Sequence, residues 1–76
     1  MERFIHSDPD IMLGKPVIIG TRLTVESVLE RLAAAESINE VCESHPALTP
    51  EVVRACISFA AQALHVGTVY PVAHHA

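Results

Sequence analysis

Pro46 and Pro50 constrain this chain more than any other pair of its residues. A proline disfavours helical backbone in the residue before it, so a helix arriving from upstream must stop at Pro46. Thr49-Pro50-Glu51 is the opposite signal. It offers a capping threonine, a proline at the first helical position and an acid in the first turn. Only a tight turn fits between stop and start, with Leu48 as its inward residue. That order resembles a helix-turn-helix.

Helical signals continue on both sides. Ser37-Ile38-Asn39-Glu40 is a capping box, opening a short helix that turns Ile38, Val41 and Cys42 inward. Before it, Val25, Val28, Leu29 and Leu32 fall at i, i+3, i+4 and i+7 behind a capping Thr24, and this helix should end near Ala35. After Pro50, Val52 or Val53, Cys56, Ile57, Phe59, Ala60, Ala63 and Leu64 predict a wide inward face. Gly67 stands where a helix-ending glycine belongs, and His65 lies in the last turn.

The first third reads as strand and turn. Phe4-Ile5-His6 and the β-branched Val17-Ile18-Ile19 are strand signals, separated by the turns Ser7-Asp8-Pro9-Asp10 and Gly14-Lys15-Pro16 and closed by Gly20. The expected fold is mainly α, a three-helix homeodomain-like, helix-turn-helix bundle with a short N-terminal β-ribbon. Residues 1–23 form the ribbon and dimerisation segment, 24–67 the trihelical unit and 68–76 a tail, in one domain overall. A two-stranded ribbon is marginal alone in water. Val17, Ile18 and Ile19 are therefore expected to present an edge to a second copy, giving a homodimer.

Charge narrows the function. The net charge is −4. All of it lies in residues 24–48, where Glu26, Glu30, Glu36, Glu40 and Glu43 face Arg31 alone. A chain so balanced does not hold nucleic acid by bulk electrostatics. Arg3, Lys15, Arg22 and Arg54 are the bases expected at any DNA contact. With aromatics at 4% and no Trp, the core must be aliphatic. No apolar run approaches the ~18 residues of a membrane span. Met1-Glu2-Arg3-Phe4 is followed by no apolar signal segment, and two cysteines make no disulfide framework, so a cytoplasmic protein with reduced thiols is expected.

Catalytic motifs fail one by one. In Gly14-Lys15-Pro16-Val17-Ile18-Ile19-Gly20-Thr21-Arg22 the lysine follows the first glycine instead of the second, and Pro16 removes an amide, so no phosphate loop forms. Asp8 and Asp10 flank a turn proline, with no acid, base or nucleophile beside them. Cys42, His45 and Cys56 lack the spacing of a zinc site, and His74-His75 sits near the end of the tail. Nothing orients a Cys42–His45 pair for nucleophilic work. The reading is a non-enzyme, with no metal, cofactor or small-molecule substrate.

Ile5 to Ile11, Gly14-Lys15-Pro16-Val17-Ile18 and Gly20 to Val25 together resemble the opening of the domain-of-unknown-function 433 family. The likeness continues through Leu29-Glu30-Arg31-Leu32-Ala33, Glu36-Ser37, His45 to Glu51, Val53-Arg54-Ala55 and Ala60-Ala61. It covers about residues 4–64. The resemblance implies a small protein with an extended N-terminal segment and a homeodomain-like trihelical unit. It implies an antitoxin-like role in a type II toxin–antitoxin pair, binding and neutralising a small PIN-like ribonuclease and binding operator DNA to regulate its own operon. Val69 and Tyr70, beyond the family pattern, are the toxin contacts expected on the tail. The alternatives are a stand-alone DNA-binding regulator and a structural homo-oligomer with no toxin. One residue departs from the family: Ala35 stands where a glycine usually follows the first helix. A left-handed backbone there costs alanine about 1 kcal/mol relative to glycine.

Overall fold

The computed structural model describes residues 3–67. Strand β1 (Ile5–His6) and strand β2 (Val17–Ile18) form a small antiparallel sheet, and helices α1 (Val25–Ala33), α2 (Ile38–Glu43) and α3 (Pro50–Gly67) follow. The molecule is mainly helical with an N-terminal ribbon, as the sequence indicates.

Each helix starts on the residue that local chemistry selects. The Thr24 hydroxyl accepts the Ser27 amide at 3.0 Å. At α2, Ser37 accepts the Glu40 amide at 3.0 Å while the Glu40 carboxylate accepts the Ser37 amide at 2.7 Å, which completes the capping box. The Thr49 hydroxyl accepts the Val52 amide at 3.2 Å, behind Pro50 at the first helical position. Between α2 and α3, His45 Nδ1 accepts the Ala47 amide at 3.0 Å, and the Leu48 amide donates to the His45 carbonyl. The turn thus uses His45 and buries Leu48.

Helix α1 ends in a Schellman arrangement. The Glu36 amide donates to the Arg31 carbonyl at 3.2 Å and the Ala35 amide to the Leu32 carbonyl at 3.0 Å. Ala35 occupies the left-handed position at φ +71°, a conformation that favours glycine. The Arg31 guanidinium spans the same corner, donating from Nε to Glu36 Oε2 at 3.0 Å and from the terminal nitrogen to Oε1 at 2.6 Å. Arg31 holds the Glu36 carboxyl below its ordinary range, chiefly through these hydrogen bonds.

One core serves ribbon and helices. Ile5 and Ile18 pack with Val25, Val28, Val41, Leu48, Val52, Val53, Ala55 and Cys56. Valine dominates it, and Phe4 and Phe59 lie only at its margin.

Strand β2 finds partners on both sides within the chain. Ile5 pairs with Ile18, and the Ile19 amide donates to the Phe4 carbonyl at 2.8 Å on that side. On the other side the chain turns at Gly20 (φ +83°) and comes back along β2. There the Ile18 amide donates to the Leu23 carbonyl at 2.9 Å, and the Val25 amide to the Pro16 carbonyl at 3.0 Å. Both edges of β2 are therefore engaged within the chain. Val17 and Ile18 are 0% and 3% exposed, so their side chains belong to the chain's own core and offer nothing to a second copy. Of the three residues assigned to an interface, only Ile19 has an accessible side chain.

Candidate interaction surface

An open groove of about 450 Å³ lies between α1 and the middle of α3. Helical spacing builds its first wall: Val25, Leu29 and Ala33 recur at i+4 along α1, with Glu26 and Glu30 beside them at the rim. Phe59 and Ala60 form the α3 wall, and Pro16 closes one end. Leu29 and Phe59 are half-buried, contributing to the core on one side and the groove on the other.

The rim is acidic but partly answered. Lys15 Nζ donates to Glu26 Oε1 at 2.9 Å, across an exposed pair that contributes little stability by itself. That contact raises the lysine's pKa above its ordinary value and removes Lys15 as a free positive group. Among the described residues, Glu30 makes no ion pair.

The other expected DNA-contact bases sit on separate elements. Arg3 precedes β1 and stacks over the Phe4 ring at 5.3 Å. Arg22 follows the turn after β2 and, with His6, Ile11, Gly20 and Thr21, lines a second hollow of about 420 Å³. Arg54 is exposed on α3. The residues expected to touch a toxin, Val69 and Tyr70, lie outside the described residues.

Two apolar features were not anticipated. Met12, Leu13 and Gly14 all take positive φ, at +50°, +58° and +82°, and Leu13 is 95% exposed. A non-glycine residue in that conformation costs about 1–2 kcal/mol. Nothing in the sequence marks Met12 or Leu13 for it. The second feature is on α3: Ile57 and Leu64, assigned inward by periodicity, are 43% and 53% exposed.

The Cys56 thiol is inert by position. Cys56 is fully buried, and burial pushes its pKa up to about 11, so it stays protonated at neutral pH. Among the described residues no group of three or more His, Cys, Asp or Glu side chains is placed to hold a metal. Asp8 accepts the Asp10 amide at 2.9 Å, the local turn bond that accounts for this acidic pair. No helix is long and apolar enough to cross a membrane among the described residues.

A family described as "Protein of unknown function (DUF433)" matches residues 5–60. The chain belongs to this family. Its relative, the uncharacterized protein y4eO of Sinorhizobium fredii, is 40% identical over 50 residues, covering 66% of this chain and 23% of the relative. The matched segment is thus about a quarter of that longer protein. No solved structure matches the chain. Within the family pattern, the groove combines residues from two separate stretches, Val25–Ala33 and Phe59–Ala60, which the fold brings together.

Proposed function

We propose that this chain is the antitoxin-like member of a toxin–antitoxin pair, neutralising a small PIN-like ribonuclease by binding it. The supporting observation is the apolar groove between α1 and α3 with Glu26 and Glu30 at its rim. Neutralisation needs a complementary surface and no chemistry of its own. A ribonuclease gathers Lys and Arg to hold substrate phosphates. An apolar groove with an acidic rim complements an apolar segment flanked by such bases. Co-expression with the product of the adjacent gene tests the reading. Growth should be restored and the two chains should co-purify; absence of both outcomes removes the reading.

Autoregulation through operator DNA is the second reading, favoured by Arg22 and His6 around one hollow with Arg3 and Arg54 elsewhere on the surface. So few free bases neutralise few phosphates, so binding should be weak and strongly salt-dependent even for a dimer. A band shift on the protein's own promoter at low salt, weakened by Arg22→Ala, is the expected result. No shift at low salt, with or without the nuclease, removes it.

A further inference from the structure

Residues 55–64, Ala-Cys-Ile-Ser-Phe-Ala-Ala-Gln-Ala-Leu, contain no charged side chain. The segment begins inside the core with Ala55 and Cys56, but from Ala61 to His65 every described position is exposed. Helix α3 has 18 residues, whereas α1 has 9 and α2 has 6, so its second half outruns the helices that cover its first. Ile57, Ala60, Ala61 and Leu64 recur at i, i+3, i+4 and i+7 and therefore share one face. Ile57 and Leu64 do not line the groove, whereas Ala60 does, so this face adjoins the α3 wall of the groove and carries the apolar surface beyond it. A helix apolar over so much of its circumference is ordinarily covered.

We propose that a second copy of this chain covers it, with the C-terminal halves of two α3 helices packed antiparallel about a twofold axis near Ala60 and Ala61. Charge selects this occupant. A twofold contact sets a surface against itself, so any charge near its centre meets its own sign. Among the described residues, Ile57 and Leu64 place exposed large apolar side chains along about three turns of α3 free of charge, whereas a contact centred in the groove would set Glu26 and Glu30 against their own copies. The register adds a complementary contact. An axis near Ala60 and Ala61 brings Arg54 of one copy alongside the α3 C-terminus of the other, where unpaired carbonyls carry partial negative charge. Ala60 and Ala61 let the helix backbones approach closely. The contact uses a surface other than the ribbon, and it does not depend on the antitoxin reading.

Roughly three turns of helix make an interface below the ~1,600 Å² typical of stable complexes, so the dimer should dissociate at micromolar concentration. Sedimentation equilibrium of the full chain across 1–500 µM, about the range for so small a contact, provides the test. Wild-type protein should move from the 8.2 kDa monomer to twice that mass. Leu64→Glu and Ile57→Glu should each weaken association about 30-fold or more, as expected for loss of a central anchor. Both positions are exposed in the monomer, and an unchanged far-ultraviolet circular dichroism spectrum confirms that the variants fold. Ile19→Glu should leave the association intact, because it marks the ribbon. A monomer throughout the range overturns the proposal. A dimer indifferent to Leu64→Glu and Ile57→Glu, or one abolished by Ile19→Glu, overturns it equally.

Discussion

Single residues carry most of the local strain. Ala35 at φ +71° is the position the sequence singles out, and a left-handed helix end there favours glycine over alanine. Ala35→Gly should stabilise the chain by about 1 kcal/mol, read as a raised urea midpoint with unchanged slope. Met12 and Leu13 take the same backbone region with no such warning in the sequence, since their conformation comes from closing the loop between two paired strands. At the same corner as Ala35, the Arg31–Glu36 pair links stability to pH. Glu36 titrates below its ordinary value of 4.5 in the folded chain, so its contribution is present above that value and is lost as pH falls through the lowered one. Glu36→Gln should therefore lower the urea midpoint at pH 7, and the gap from wild type should narrow as pH falls through the lowered value. An unchanged gap at pH 3 would contradict the linkage.

At the scale of elements, the sequence specifies starts better than faces. Thr24, Ser37 and Thr49 each cap the predicted helix, because a cap is decided by a few neighbouring atoms. The inward face of α3 is legible through Cys56 to the half-buried Phe59 and Ala60, but not at Ile57 and Leu64. Periodicity places Ile57 and Leu64 near the apolar stripe but contains no information on where α1 and α2 stop covering it. The second pairing of β2 was hidden for a related reason: Leu23 and Thr24 read as the approach to a helix, not as a partner for β2. Leu48 links α2 to α3 and is 5% exposed. Leu48→Ala should cost about 2–5 kcal/mol, a large share of what holds a small domain together, and should visibly lower its melting temperature. Cys56 provides a second check on helix docking. It should stay silent to a thiol reagent at pH 8 until urea unfolds the chain, because its thiol is fully buried and its pKa is about 11.

For the whole molecule, charge and apolar surface are arranged separately. The net charge of −4 resides in α1, α2 and the adjoining turns, whereas the second half of α3 is uncharged. The acidic composition was legible at once. The groove was not, because its walls come from residues about thirty positions apart and exist only after α1 packs on α3. Within the groove, Ala33 is exposed at the end of α1, three residues from Glu30. An arginine there obstructs the groove, offsets Glu30 and suits a helix C-terminus, so Ala33→Arg should fold as well as wild type. The most direct measurement is growth of cells expressing the product of the adjacent gene together with wild-type protein or Ala33→Arg at matched levels. The account predicts rescue by wild type and little or none by Ala33→Arg. Equal rescue by both, or failure of wild type to rescue, would contradict it.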